Sequence, residues 1–246
     1  MRALAFVIAL AMAFVLFSVV NARQLFWDDF EAEQLGAEPR KWVNLKAGAG
    51  AGGEIIEDPD NPGNKVFSMP DRFVATKRDN GEFYVIGDKT WTDYMAEWDW
   101  MPADGYHGVN FRFQNEEEYY LIDKRGVEGV VEIYKRSPDP MWTKFGTGPW
   151  IWELGKWYRV HLEVRGDTFV FKWKELEDDT PFGQIDIAAA GVEAQDGDYK
   201  NGGMSNGGLG LIDNIVVGET EDDLAFAVTS RGKLPAIWGD LKRRSR

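Results

Sequence analysis

The sequence predicts an all-β protein: a two-sheet antiparallel β-sandwich of the jelly-roll kind with a short C-terminal helical tail. Three observations lead there. Apolar and polar residues alternate with a period of two in many short runs, the signature of strands with one buried face. Clusters rich in Gly, Pro, Asn and Asp separate those runs. No long amphipathic helical pattern occurs before residue 220.

Residues 1–22 stand apart. Met1-Arg2 is followed by an apolar run from Ala3 to Val20, broken only by Ser18, and Val20-Asn21-Ala22 has small or apolar residues at a cleavage position. This reads as a secretory signal peptide. The run is also long enough to serve as an uncleaved anchor. Residues 23–218 are expected to form the sandwich and 219–246 a tail. In the tail, Leu234, Ile237, Trp238 and Leu241 share one face of a short helix starting at Pro235.

Within the sandwich, Leu25–Glu31 and Trp42–Leu45 open the strand series, and the glycine-dominated stretch Ala47–Gly53 is loop. Glu57–Asn64 is a turn by composition, with strands at Lys65–Ser68 and Arg72–Thr76. Tyr94, Ala96, Trp98 and Trp100 fall on one side of the next strand, and Met95, Glu97, Asp99 and Met101 on the other. After Pro102–Gly105 the alternation resumes: Val109, Phe111 and Phe113 face one way, Asn110, Arg112 and Gln114 the other. Glu118–Lys124 and Val130–Arg136 are the following strands, and Ser137–Trp152 is a loop rich in Pro and Trp. The clearest hairpin pairs Tyr158, Val160, Leu162 and Val164 with Phe169, Phe171 and Trp173 across Gly166-Asp167. Arg165-Gly166-Asp167 spells an adhesion tripeptide but is read as the turn alone. Phe182–Ile187 is expected as a strand, Ala188–Gly208 as a long polar loop, and Leu209–Val217 as a last strand interrupted by Asp213-Asn214.

Composition removes several function classes. The chain has 41 acidic and 28 basic residues and a formal charge of −13, and loss of residues 1–22 removes only Arg2 from the charge count. Such a surface opposes nucleic-acid binding, which requires phosphate neutralisation. Zero cysteines exclude disulfides, cysteine nucleophiles and iron–sulfur clusters. Two histidines, His107 and His161, are too few for a His-rich metal site. No stretch after the first 22 residues is suited to cross a membrane.

Four separated segments carry a family resemblance. Trp27-Asp28-Asp29-Phe30-Glu31 resembles the opening strand of the concanavalin A-like lectin/glucanase superfamily. Gly108–Gln114 with Tyr119-Tyr120-Leu121 resembles its "G-x-x-F-R-x-Q … Y-Y" strands. Lys156–Val160 followed by Val164–Asp167 resembles its "W-Y-R … V-x-G-D/N" hairpin, and Gly210–Val217 resembles its "F-D-N-V-x-V" last strand. The resemblance spans Leu25 to Gly218. It points toward laminin-G-like sugar-binding domains and the 3-keto-disaccharide hydrolase family of exported bacterial proteins. It implies a sandwich fold, and it does not choose among lectins, hydrolases and adhesion domains.

The polar strand faces supply the candidate ligand residues. Arg112 leads them, because a guanidinium fork can grip a carboxylate or a pair of hydroxyls. Asn110 and Gln114 share its strand, and Glu97 and Asp99 are expected across from it. Tyr120 and Lys124 extend the patch, with Tyr119 and Asp123 as the alternative face of that strand, and Trp142, from the loop, can stack on a sugar ring. Trp150 and Trp152 lie in the same loop with the same stacking option, and for all three tryptophans plugging the sandwich edge is the commoner role. His107 is read as structural, and His161 receives no role. Glu97-Trp98-Asp99-Trp100 invites comparison with the E-x-D-x-x-E motif of laminarinase-type hydrolases, but the final glutamate position is Pro102, so that motif is broken. No catalytic residue is assigned. No cofactor is required. The resemblance implies a structural Ca²⁺ at Asp213, with Asp29 of the opening strand opposite it. The expected function is an exported protein, periplasmic, cell-surface or extracellular, that binds a poly- or oligosaccharide without cutting it. A glycoside hydrolase of the 3-keto-disaccharide type is the alternative, and a structural or adhesion domain of the envelope is the second.

Overall fold

The structure is a computed structural model and describes residues 23–45, 52–70, 81–103, 106–125, 128–150 and 152–224. The signal-peptide and tail-helix expectations lie outside these residues, as does the strand expected at Arg72–Thr76. Fifteen strands occur among the described residues. They are β1 (Gln24–Asp28), β2 (Val43–Asn44), β3 (Glu54–Asp58), β4 (Asn61–Met69), β5 (Tyr84–Ile86), β6 (Tyr94–Pro102), β7 (Tyr106–Asn115) and β8 (Glu118–Arg125), then β9 (Val130–Arg136), β10 (Trp142–Pro149), β11 (Tyr158–Arg165), β12 (Thr168–Glu175), β13 (Gly191–Gln195), β14 (Gly203–Asn206) and β15 (Gly210–Gly218). They form two antiparallel sheets. The eight-stranded sheet runs β13-β12-β11-β6-β15-β4-β3, with β1 also paired to β15. The seven-stranded sheet runs β10-β9-β8-β7-β14-β5-β2.

The stripes read from the sequence pack between the sheets. Trp98 and Trp100 from β6, Val160 and Leu162 from β11, and Phe169 and Phe171 from β12 meet Phe111, Tyr120, Ile122 and Ile133 of the other sheet in one buried cluster. The hairpin of β11 and β12 has the expected register, Arg165 opposite Thr168 across Gly166-Asp167. Gly166 takes φ +52, the left-handed conformation this tight turn needs. Trp150 is buried and stacks on Trp173 with ring centroids 5.0 Å apart. It therefore plugs the core, as its composition-rich segment suggested.

Along one side, the sheets close against each other through β10 and β13. Gly146 of β10 sits on Val192 and Ala194, and Gly148 sits on the Gly191 carbonyl, each so close that a Cβ would overlap its neighbour. Glycine is needed at 148 because two backbones approach without a side chain between them, and at 146 because the Val192 and Ala194 side chains occupy the space.

Four expectations are corrected. Ser137–Trp152 is not all loop, because Trp142–Pro149 is the edge strand β10. Phe182–Ile187 is not a strand: Phe182–Gln184 is a 3₁₀ turn, and Ile187–Ala190 is a one-turn helix capped by the Asp186 side chain. The supposed loop Ala188–Gly208 contains β13 and β14. These short strands are glycine-bearing, so they resemble loop by composition. Finally, β6 and β7 do not share a polar face. The chain crosses from one sheet to the other between them, so their polar residues lie on opposite sides of the molecule or inside it.

Candidate functional site

The expected ligand residues separate into three places. Glu97 and Asp99 do reach an outer face, that of the eight-stranded sheet, because Trp98 and Trp100 between them point inward. Arg112 does not. It is fully buried at φ +46, at the register shift between Phe111 and Asn115. This bulge resets the alternation. Phe111 stays in the inter-sheet core, while Phe113 turns outward to join Phe83, Tyr119 and Leu121. The Arg112 guanidinium donates to the Tyr199 carbonyl at 2.9 Å and the Thr92 carbonyl at 3.1 Å, and lies over the Phe169 ring at 5.4 Å. It ties loops to the sandwich rather than facing an outer groove.

The remaining residues of the seven-stranded sheet also serve the fold. Asn110 is buried and donates to Ser205 Oγ and the Asn206 carbonyl, both at 2.8 Å. Gln114 donates to the Asn201 carbonyl. Tyr120 packs inward on Phe169 and donates its hydroxyl to Asp196. Burial pushes that hydroxyl's pKa up, and the Asp196 bond adds to the rise. Lys124 points inward as well, its ammonium over the Trp152 ring and bonded to the Ala103 carbonyl at 3.0 Å. Asn110 is on the outer side of this sheet, paired with Leu121 but covered, and Trp142 lies on the same outer face, edge-on to Tyr119 and Tyr134. Beside it Glu132 accepts from Lys144 and Tyr134.

The outer face of the eight-stranded sheet holds a continuous polar band. In register, Asp99 on β6 faces Arg159 on β11, and Glu97 faces His161. Arg159 Nε lies 2.6 Å from Asp99 Oδ1, and His161 Nδ1 lies 3.1 Å from Glu97 Oε1. Arg159 also sits opposite Lys174 on β12, and the His161 ring stacks on Phe182 of the 3₁₀ turn. On the other side of β6, Asp213 of β15 is the partner of Asp99. The next residue, Asn214, adopts φ +49 at a second register shift. Asparagine tolerates this left-handed conformation better than other non-glycine residues. The bulge brings its amide between two carboxylates, with Nδ2 2.7 Å from Asp99 Oδ2 and 3.0 Å from Asp213 Oδ2. Asn64 of β4 repeats the arrangement, bridging Asp213 at 3.0 Å and Asp58 at 3.1 Å. The Trp157 indole N–H then donates to Asp58 at 3.3 Å.

Two adjoining clefts open over this band, both bordered by Leu176. One, of about 600 Å³, has Asp58, Asn64, Asp99, Asp213 and Asn214 in its lining, together with Trp157, Leu154 and Leu176. Leu154 is 70% exposed, so its side chain is available to a ligand. The other, of about 450 Å³, is lined by Glu97, Arg159, His161, Lys174 and Phe182 among others. Oriented carboxylates and amides recognise hydroxyls in pairs, and the apolar wall suits C–H surface.

The calcium expectation does not fit this donor set. Ca²⁺ requires six to eight oxygen ligands. Here amide nitrogens, not oxygens, stand between the carboxylates. Asp29 is engaged by the Glu31 backbone N–H. Among the described residues no group of three or more His, Cys, Asp or Glu side chains is arranged to hold a metal.

Sequence reasoning missed Arg159, His161, Asn64, Asp58, Asn214 and Trp157 as a set. One signal was readable: Glu97-x-Asp99 and Arg159-x-His161 are complementary pairs at strand spacing, as cross-strand neighbours often are.

No family model matches the sequence, and no curated protein matches it. Solved structures do show a likeness. Carbohydrate binding module CBM66 from Bacillus subtilis shares 13% identity, with a TM-score of 0.48 over 72% of this chain and 95% of that one. Domain 4 of AbnA, an extracellular arabinanase from Geobacillus stearothermophilus in complex with arabinotriose, shares 10% identity, with a TM-score of 0.48 over 82% and 97%. Galectin LEC-6 from Caenorhabditis elegans shares 10% identity, with a TM-score of 0.40 over 53% and 86%. At such distances the functional assignment rests on this chain's own residues.

Proposed function

We propose that the protein is an exported carbohydrate-binding β-sandwich whose ligand lies on the outer face of the eight-stranded sheet. One observation carries the reading. A row of buried carboxylates is held in fixed orientation by Asn64, Asn214 and Arg159 beneath an open cleft walled by Trp157, Leu154 and Leu176. A sugar presents hydroxyls to such a floor and C–H faces to such a wall. The floor is preorganised, so binding orders few side chains. The chain's acidic balance fits a neutral ligand better than an anionic one. Residues 1–22 act as the export signal, and the ligand is a poly- or oligosaccharide met outside the cytoplasm.

A glycan array followed by calorimetric titration tests this. The wild-type protein should bind at least one neutral glycan, and Leu154→Ala combined with Leu176→Ala should weaken that binding at least tenfold. Arg112→Ala, where folded, should bind like wild type. Binding that survives the double substitution but is lost with Arg112→Ala would move the site to the other sheet. No binding to any glycan would favour the structural or adhesion reading.

A further inference from the structure

We propose that the C-terminal segment, residues 225–246, docks in the larger cleft of its own sandwich and competes there with the sugar. The competition rests on the carbohydrate reading above; the docking does not.

The place where the described chain ends decides what can reach the cleft. Leu224 packs on Met95 and Val216, on the outer face of β6 and β15, and it lines the smaller cleft. Met95, Glu97, Asp99 and Met101 follow one another along that face of β6. Met101 packs on Trp157, which lines the larger cleft. The segment therefore departs from one end of a strip whose other end is the larger cleft. Met95 to Asp99 is four residues of strand, about 13 Å. Residues 225–233 precede Leu234 and, fully extended, span up to about 30 Å. That tether is long enough to bring Leu234 and the residues after it over Asp99 and Trp157.

The chemistry of the two surfaces is complementary. Leu154 and Leu176 are exposed in the larger cleft, and the carboxylates of Asp60, Glu153 and Glu177 are exposed around them. Among the described residues of that lining, Lys156 is the one basic side chain, and Glu175 holds it at 2.7 Å and Glu153 at 3.5 Å. Residues 225–246 have the opposite character. The sequence puts Leu234, Ile237, Trp238 and Leu241 on one face of a short helix. Lys242, Arg243, Arg244 and Arg246 follow, and the segment carries a net charge of +5 in a chain whose total is −13. The apolar stripe meets the leucines, and the basic end meets the acidic rim. A basic amphipathic segment also suits an anionic lipid surface, but the acidic cleft lies within reach of its tether.

Two physical costs make this docking matter. A helix this short is marginal alone in water, being below the roughly 12–15 residues that an isolated helix needs, so its apolar stripe requires a surface to pack on. The tether supplies one at an effective concentration on the order of 1 mM. A sugar must displace the segment from the same leucine wall. If the segment's own Kd for the cleft is on the order of 0.1 mM, that competition weakens sugar binding about tenfold.

The chain has no cysteine, so Ser245→Cys places a single nitroxide at the end of the segment. In a ¹H–¹⁵N spectrum of the full chain without sugar, the nitroxide should broaden the Trp157 indole signal and the Asn64 and Asn214 amide signals, and spare Trp142. Ile237→Ser combined with Trp238→Ser, both beyond the last strand, should restore most of the lost intensity. Cleft signals that stay sharp, or broadening that persists in the double variant, overturn the proposal. In the first case, pelleting with vesicles of phosphatidylcholine and phosphatidylserine, lost in the double variant, assigns the segment to a lipid surface instead. A mixture of ¹⁵N protein without nitroxide and unlabelled protein with it should show no broadening; broadening there assigns the cleft to a second copy and also overturns it. For the competition, the double variant without nitroxide should bind the tightest glycan of the array about tenfold more tightly than wild type, and an unchanged affinity overturns that part. If no glycan binds, the carbohydrate reading falls, and the nitroxide measurement still decides the docking.

Discussion

Replacing Arg112 by alanine separates a structural role from a ligand role. Its guanidinium makes two hydrogen bonds to backbone carbonyls, at 2.9 Å to Tyr199 and 3.1 Å to Thr92. Hydrogen bonds from a charged group contribute about 1.5–3 kcal/mol each, so losing both sets the scale at about 3–6 kcal/mol. The contact with Asp93 adds little, being 3.5 Å long to a carboxylate that is 49% exposed. Packing against Phe169 is lost as well. A domain of this size has about 5–15 kcal/mol in all, so the variant should sit near the edge of folding. Urea denaturation at 25 °C measures this, with an unchanged slope and a strongly lowered midpoint. Arg112→Met, which keeps much of the side-chain volume, should lose less. A loss below about 1 kcal/mol for alanine, the effect of an ordinary surface substitution, would refute the account of Arg112 as a buried tie.

Three further substitutions probe the frame. Trp150→Ala removes a buried ring stacked on Trp173 and should cost about 3–5 kcal/mol in the same urea assay. Gly148→Ala places a methyl group on the Gly191 carbonyl and should cost about 1–3 kcal/mol by forcing β10 from β13, seen as faster amide exchange in both strands. Glu132 carries a pH prediction. Burial raises its pKa, but hydrogen bonds from Lys144 and Tyr134 and the charge of Arg125 outweigh burial and hold it below the ordinary 4.5. A depressed folded-state value means stability that is present above pH 4.5 and lost as pH falls through the lower value. Glu132→Gln should therefore be less stable at neutral pH and lose less stability on acidification, read from thermal midpoints between pH 7 and 3.

Much of the frame was legible because it is local. Period-two alternation placed Trp98 and Trp100 inside and Glu97 and Asp99 outside, and Gly166-Asp167 announced its hairpin. The strands β13 and β14 were hidden, because each is only four or five residues long, opens on glycine and sits in a polar, glycine-rich stretch. Arg112 misled for a different reason. Alternation assumes a regular strand, and one residue at φ +46 reverses the facing of everything after it. No side-chain pattern marks such a bulge. The cleft was least legible of all. Asp58, Asn64, Asp99, Arg159 and Asp213 come from five strands, and only sheet order brings them together. Residues at Asp213-Asn214 did stand out as an interruption of the last strand, but their partners depend on register.

The most direct measurement is a ¹H–¹⁵N spectrum of the protein titrated with its best-binding oligosaccharide. Four side-chain signals report the two outer faces: the indole N–H groups of Trp157 and Trp142, and the amides of Asn64 and Asn214. The account predicts shifts for Trp157, Asn64 and Asn214 as the cleft fills, with Trp142 unmoved. Shifts at Trp142 with the Asn64 and Asn214 amides unchanged would contradict it.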